Sequence, residues 1–253
     1  MQLDTDIIKS ALTDCVAQVF VFDEIDSTNL QAERMIKGEA DGRFAIIADK
    51  QTDGRGRQGK SFYSPGGTGI YLTAAVEIDV QLNEAVTVTS AAAVAVAEAL
   101  AKFGAKPEIK WVNDIYIGDR KACGILTKAV RGYSGRLWVI IGVGVNVTTE
   151  DFPDDIKDTA VSVGGDVDRN LLAAEILSNI FAVTSDLSDR SYMERYRELS
   201  NVIGREIYFV RNGEKTEARA IGIDDDGGLT VETRDGTETL TSGEITVRFN
   251  KGR

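Results

Sequence analysis

Gln51-Thr52-Asp53-Gly54-Arg55-Gly56-Arg57-Gln58-Gly59-Lys60 sets three glycines and three cations side by side in a chain whose formal net charge is −11. Glycines at alternate positions remove Cβ atoms and permit positive φ, so backbone N–H groups can converge on an oxyanion. Arg55, Arg57 and Lys60 add full charges, and a guanidinium fork matches carboxylate and phosphate oxygens. On composition the stretch reads two ways, as an anion-binding loop or as an exposed basic turn.

Outward from the loop, strands and helices come in mixed order. Val16 to Asp23 is rich in Val and Phe and reads as a strand. It leads into Asp26-Ser27-Thr28-Asn29, where Asp26 or Ser27 caps a helix running to about Lys37, with Gly38 as its stop. Phe44 to Ala48 is a short apolar strand that feeds the basic loop, and Gly69 to Ile78 is the next strand. An alanine-rich helix covers Glu84 to Phe103 and ends at Gly104. Glu108 to Trp111, Ile115 to Ile117, Lys121 to Lys128 and Leu137 to Val147 are β-rich, and helices over Leu171 to Leu187 and Tyr192 to Leu199 follow. A repeated βαβ rhythm is missing, so the class is α+β.

From Gly204 the texture changes. Glu206 to Val210, Glu217 to Ile223, Leu229 to Thr233, Thr237 to Leu240 and Ile245 to Phe249 are short runs separated by Asn212-Gly213, Asp226-Gly227-Gly228 and Asp235-Gly236. Those are hairpin turn signals, and strands so closely spaced predict a small barrel. The expected domains are residues 1–201 and 204–253.

Composition excludes much chemistry. With 253 residues there is room for one large domain, or a medium and a small one, each with its own core. The chain has no histidine, which removes Ser-His-Asp and Cys-His nucleophile systems, His-bearing zinc sites and imidazole acid–base steps. Catalysis must rest on Lys, Arg, carboxylates, hydroxyls, backbone amides or an oxygen-ligated metal. Cys15 and Cys123 form no CxxC pair, which fits a reducing cytoplasmic compartment. The N-terminus lacks a signal-peptide pattern, and the longest apolar run, Ala91 to Ala97, is too short to span a bilayer, so no membrane partner is expected. The acidic balance argues against a broad nucleic-acid surface; one basic loop suits a small anion better.

Three further clusters bear on the loop. Asp26-Ser27-Thr28-Asn29 is a plain helix cap, or a group of hydroxyls and an amide that hydrogen-bonds a neutral polar ligand. Lys110-Trp111-Val112-Asn113-Asp114 puts Asn and Asp between two strands, as a turn or as site residues. In Asp119-Arg120-Lys121-Ala122-Cys123-Gly124-Ile125-Leu126, Lys121 opens a strand that otherwise looks buried, as a solvated turn residue or as a functional cation.

In this order and spacing the clusters resemble the biotin-protein ligases, over nearly the whole chain. The likeness rests on Ser27-Thr28-Asn29; on Gln51 with Gly54-Arg55-Gly56-Arg57-Gln58-Gly59-Lys60; on Ser64-Pro65-Gly67; on Lys110-Trp111 with Asn113-Asp114; and on Lys121 with Gly124-Ile125-Leu126. It continues through Ile141-Gly142-Val143-Gly144-Val145-Asn146, and Gly222-Ile223-Asp224 with Ser242-Gly243-Glu244 fit the family's SH3-like barrel. Val112 stands where the family usually has proline, and Lys60 where arginine is frequent. About twenty residues precede the first core strand, too few for the winged-helix domain of some members, so no DNA binding is expected.

The resemblance implies a mixed-sheet catalytic domain of the biotin/lipoate ligase type followed by the barrel. It implies activation of biotin with ATP and Mg²⁺ to biotinyl-5′-AMP, then transfer to a lysine of the biotin carboxyl carrier domain of a carboxylase. Ser27, Thr28, Asn29, Gln51, Arg55, Gly56 and Arg57 are then expected to hold biotin and its adenylate. Lys121 is expected at the carboxylate and α-phosphate, with Arg55 beside the reaction and Asp114 accepting the amine's proton. Arg57, Asn113 and Asn146 are expected on the nucleotide side, and no residue is assigned as a metal ligand. The glycine loop is expected to close over the adenylate, and pairing into a homodimer through a sheet edge is in keeping with the family. A lipoate ligase or octanoyltransferase is the neighbouring alternative, and a non-enzymatic binding module a more distant one.

Overall fold

A computed structural model of the chain describes residues 2–13, 17–38, 40–78, 85–211, 213–241 and 246–249. Cys15, Val16, Glu84, Asn212, Ser242, Gly243, Glu244 and Ile245, which entered the expectations above, lie outside the described residues.

Helix α1 (Thr5–Ala11) opens the described fold and was not foreseen. Its signals are local: the Asp4 carboxylate accepts from the Asp6 and Ile7 amides, while Leu3 and Ile8, one on each side of the first turn, are both buried. Strand β1 (Gln18–Ile25), helix α2 (Thr28–Lys37) and strand β2 (Phe44–Gln51) form one βαβ unit, and β1 runs parallel to β2. The remaining strands of that sheet are β3 (Gly69–Glu77), β4 (Pro107–Lys110), β5 (Asp114–Ile117), β6 (Arg120–Arg131) and β7 (Leu137–Asn146), all paired antiparallel. The order β1-β2-β3-β7-β6-β5-β4 makes a seven-stranded mixed sheet.

Both faces of this sheet are covered, which is why β2 and β3 read as continuous apolar runs instead of alternating ones. Helices α3 (Ala85–Lys102) and α4 (Arg169–Val183) lie on one face; α2 lies on the other. Alternate residues divide accordingly. Ala45 and Ile47 of β2, with Val139, Ile141 and Val143 of β7, join the main core under α3 and α4. Phe44 and Ile46, with Trp138 and Ile140, join a smaller cluster under α2. Fully burying a side chain of this kind contributes about 1.5–3 kcal/mol. The alanines of α3, including Ala91, Ala92 and Ala95, are buried and let that helix sit close against its neighbours.

Helix α5 (Tyr192–Leu199) packs on α3 and β4 and carries the chain into a second sheet. That sheet comprises β8 (Glu206–Arg211), β9 (Glu214–Ile223), β10 (Leu229–Thr233), β11 (Gly236–Leu240) and β12 (Thr246–Phe249), in the order β11-β10-β9-β8-β12, antiparallel throughout. Gly213, Gly227 and Gly236 adopt positive φ at its turns, as the hairpin signals require. Its inward residues, among them Ile207, Phe209 and Val231, merge with the main core. Among the described residues no helix is long and apolar enough to cross a membrane.

Candidate active site

The α2 face of the sheet is apolar at one end and small or polar at the other. Along β7 the residues on this face are Trp138, Ile140, Gly142 and Gly144, so large side chains give way to glycine halfway along the strand. Register extends the change sideways: Gly142 lies between Thr73 and Leu126, and Gly144 between Tyr71 and Gly124. The result is a floor without bulk beneath a cleft of about 1220 Å³. That is larger than the roughly 300–1,000 Å³ of a pocket for one drug-sized ligand. The glycines are required by close approach. A Cβ on Gly144 would lie 2.6 Å from Phe62 Cε1, and one on Gly142 would collide with the Asn29 carboxamide.

At one end the cleft is polar and uncharged. Ser27 occupies the N-cap position of α2, yet its side chain caps nothing; it is buried and lines the cleft. The Asp26 carboxylate pairs instead with Arg34 at 2.8 Å, which holds it down to a pKa of about 2. Gln51 Oε1 accepts from the Thr28 amide (2.9 Å) and hydroxyl (3.1 Å), and Gln51 Nε2 donates to Ser64 Oγ (3.0 Å). Those partners fix which way the Gln51 amide faces. Thr73, unmarked by any sequence motif, donates to Asn29 Oδ1 (2.6 Å) or to Thr28 Oγ1 (2.8 Å). Asn29 Nδ2 in turn donates to the Leu126 carbonyl (3.4 Å).

The glycine loop leaves β2 at Gln51 and folds back as a narrow hairpin. The Phe62 amide donates to the Gly54 carbonyl (2.8 Å) and the Gly56 amide to the Lys60 carbonyl (2.7 Å). Gln58 and Gly59 turn it with φ of 57° and 71°. Gly54 is buried because its Cα faces the Phe62 carbonyl and the Ser64 hydroxyl, where a Cβ would lie 2.5 and 2.6 Å away. Arg55 pairs with the exposed Asp53 at 3.0 Å. Arg57 reaches inward, and its Nη1 donates to Asn113 Oδ1 at 3.0 Å. Burial draws its pKa below the ordinary value, against the pull of Asp114 and Tyr196, but a guanidinium stays charged at neutral pH.

The opposite end is cationic. A register shift between Ile115 and Tyr116 in the β5–β6 pairing accompanies the turn of Lys121 into the cleft. Its backbone is tied to the 159–161 segment, the amide to Thr159 O (2.8 Å) and the carbonyl to Val161 N (2.9 Å). Lys121 Nζ sits 2.8 Å from Asp114 Oδ1 and 5.9 Å from the centre of the Phe62 ring. Asp114 Oδ1 is buried, and the Lys121 ammonium is its ion-pair partner. Asn113 Nδ2 donates to the Ile125 carbonyl (2.7 Å), and the Ile125 amide returns a bond to Asn113 O (2.9 Å). The Trp111–Val112 peptide is cis.

Lys110, quoted in the sequence but given no role, is 6% exposed and lines the same cleft. It donates to Tyr116 Oη at 3.2 Å. Burial, followed by the charge of Arg248, brings its pKa down to about 8. The barrel closes this end with Arg205, Tyr208, Lys215 and Arg248.

Ser27, Thr28, Asn29, Gln51, Arg55, Gly56, Arg57, Asn113, Asp114 and Lys121 therefore meet around one cavity. Asn146 is placed differently. It is buried at the end of β7, donates to the Val161 carbonyl (3.3 Å) and is not part of the lining. Among the described residues no three Asp, Glu or Cys side chains cluster to cage a metal. Asp114, Asp119 and Asp155 border the cleft, and one or two carboxylates beside substrate phosphates are the usual protein share of a Mg²⁺ site.

The cleft thus has a neutral polar end and a cationic end, joined over a glycine floor beside a glycine-arginine loop. The chain belongs to the Biotin/lipoate A/B protein ligase family, which it matches over residues 21–146, and it matches the Biotin protein ligase C terminal domain over residues 202–248. Its relatives are more particular. It is 32% identical over 246 residues to the bifunctional ligase/repressor BirA of Bacillus spizizenii, covering 92% of this chain and 75% of that protein. With the biotin--[acetyl-CoA-carboxylase] ligase of Mycobacterium tuberculosis it shares 28% identity, over 90% of this chain and 88% of the other. The structure of the biotin protein ligase from Aquifex aeolicus in complex with biotin and ATP is similar with a TM-score of 0.79 and 26% identity, covering 92% of this chain and 99% of that one.

Proposed function

We infer that this chain is an ATP-dependent biotin-protein ligase that forms biotinyl-5′-AMP and passes the biotinyl group to a lysine of the carrier domain of a biotin-dependent carboxylase. The observation that carries the reading is the single cavity shared by the Ser27/Thr28/Asn29/Gln51 network and the Arg57/Lys110/Lys121 cations. A ureido ring needs neutral donors and acceptors of fixed direction, and Gln51, oriented by Thr28 and Ser64, is held in that way. The acid chain then runs along the glycine floor toward Lys121.

In the first step a biotin carboxylate oxygen attacks the α-phosphorus, and the bond to the pyrophosphate oxygen breaks. Two anions must approach, so fixed cations supply the main electrostatic help. Lys121 meets the carboxylate and α-phosphate, while Arg55 and Arg57 of the loop and Lys110 of β4 meet the remaining phosphate charge. Mg²⁺, as part of the ATP substrate, neutralises phosphate oxygens. In the second step the carrier amine attacks the acyl carbon, AMP leaves with the bonding electron pair, and the amine loses a proton. Asp114 lines the cleft beside Lys121, at 2.8 Å, and is the carboxylate placed to accept that proton once Lys121 turns to the phosphate. Asn113 supports Arg57. Asn146 acts one step back from the nucleotide, ordering the Val161 segment that ties down Lys121.

The test is pyrophosphate release from ATP and Mg²⁺ with biotin or with lipoate, followed by mass analysis of a carboxyl-carrier domain. Turnover with biotin and a biotinyl mass shift on the carrier are expected. Turnover with lipoate alone overturns the substrate assignment, and no turnover with either overturns the enzymatic reading.

A further inference from the structure

One helix ties the barrel to the cleft. Arg197 of α5 donates from Nε to the Ile223 carbonyl (2.7 Å) and pairs through Nη2 with Asp225, so it grips the β9–β10 turn at two points. The turn is stiffened internally: Asp224 Oδ1 accepts from the Asp226 amide (3.0 Å) and the Gly228 amide (2.7 Å). Between those residues, the Gly227 carbonyl accepts the buried indole N–H of Trp111 (2.9 Å). One position before Arg197, Tyr196 donates to the Val112 carbonyl (3.1 Å). The Asn201 amide, just past the helix, donates to Ile109 O (3.0 Å).

These contacts close a ring from α5 to the barrel turn, to Trp111 and Val112, and back to α5. On one side the ring carries Asn113 and Asp114. On the other it carries β8 and β9, which present Tyr208 and Lys215 to the cleft. Lys215 Nζ stacks 4.4 Å from the centre of the Tyr208 ring, which joins the two strands at the cleft. Arg197 does not itself line the cleft.

We propose that Arg197 is a positioning residue for the nucleotide: by clamping the β9–β10 turn it sets the distance between the barrel's cleft-facing side chains and the Trp111–Asp114 segment. Among the described residues, the side-chain hydrogen bonds of Thr28, Asn29 and Gln51 run to one another, Ser64, Thr73 and Leu126 and not to this ring, so on this proposal biotin binding is independent of the clamp. The inference rests on the ligase reading above and goes beyond it by assigning the barrel's placement to one side chain.

The experiment compares wild type, Arg197→Met, Arg197→Lys and Asp225→Asn by steady-state adenylation, by biotin titration and by thermal melting. Arg197→Met is expected to raise the KM for ATP by about 10- to 100-fold, since a displacement of about 1 Å in a positioned group can cost about 10²-fold. Its biotin Kd should stay within twofold of wild type, and Arg197→Lys, which keeps the charge and one donor, should recover part of the loss. A purely structural role would lower the melting temperature and the active fraction without separating ATP from biotin. If Arg197→Met does not fold, Asp225→Asn carries the same comparison from the other side of the pair. An unchanged ATP KM in the folded variants, or ATP and biotin affinities falling in step, overturns the proposal. Absent wild-type turnover instead refutes the ligase reading, and equal ATP affinity of wild type and variants by direct titration then rejects the clamp as well.

Discussion

Gly142→Ala is the sharpest probe of the glycine floor. Gly142 has no positive φ, so alanine is allowed by the backbone and the effect comes from the added methyl alone. Its Cβ would stand 2.7 Å from both Asn29 Cγ and Asn29 Nδ2, closer than carbon packs against any heavy atom. Asn29 can retreat only by stretching its bonds to Thr73 (2.6 Å) and the Leu126 carbonyl (3.4 Å). Overpacking of this kind costs about 1–3 kcal/mol, and a lost hydrogen bond about 1 kcal/mol more. If half of a total near 3 kcal/mol appears as lost stability, the melting temperature falls by roughly 3–6 °C. The other half, near 1.5 kcal/mol, weakens biotin about tenfold. Calorimetric titration with biotin and a melting curve measure the two parts separately. Gly222→Ala in β9, where a Cβ meets nothing within 4 Å, is the control and should match wild type in biotin affinity. A Gly142→Ala protein that melts several degrees lower yet binds biotin as well as the control would refute the placement of Asn29 in the biotin site. No change in either quantity would refute the close-packed floor.

Other consequences are equally measurable. Lys121→Met should slow adenylation by about 10²–10³, the effect of removing one preorganised charge donor, while leaving biotin binding within threefold; adenylation at the wild-type rate rejects its role. With Lys110 brought to about 8 from an ordinary 10.5, kcat/KM for ATP should hold steady below pH 8 and decline above it, a limb that Lys110→Arg removes. The same depression means that the native state releases this proton near pH 8 while the unfolded chain keeps it to about 10.5, so Lys110's contribution to stability rises with pH across that window. A Lys110→Met protein with the same pH-dependence of melting as wild type would contradict it. Amide exchange across residues 51–60 should slow markedly when biotin and ATP bind, because loop closure shields the adenylate from water; slow exchange in the free enzyme, unchanged by ligand, argues against closure.

Much of the site was legible in the sequence because its charged and hydroxyl-bearing members sit in short clusters: Ser27-Thr28-Asn29, the Gly54-to-Lys60 loop, Asn113-Asp114 and Lys121. What was missed lacks local punctuation. Thr73 lies inside an apolar strand and looks like core until register sets it, opposite Leu126 of the Lys121 cluster, beside Gly142. Lys110 is a single cation at a strand end, and its significance comes from burial against Tyr116 and from Arg248 on a distant strand. Helix α1 is marked only by the Asp4 cap and the Leu3–Ile8 pair, and its seven residues are too few to show a helical period in the sequence.

Local sequence was enough for most of the element types, α1 excepted, for the switch from a helix-bearing sheet to closely spaced hairpins after Gly204, and for the chemical character of each cluster. Those properties follow from periodicity, capping and turn residues, which act over a few neighbouring positions. It took long-range packing to bring residues 71–73, 124–126 and 142–144 into one floor, to face Ser27 into a cleft instead of letting it cap its helix, and to set Arg197 against the barrel turn that Trp111 also holds. Strand register and helix docking are set by burying two faces of one sheet at once, and that is a property of the whole chain, which no local segment contains.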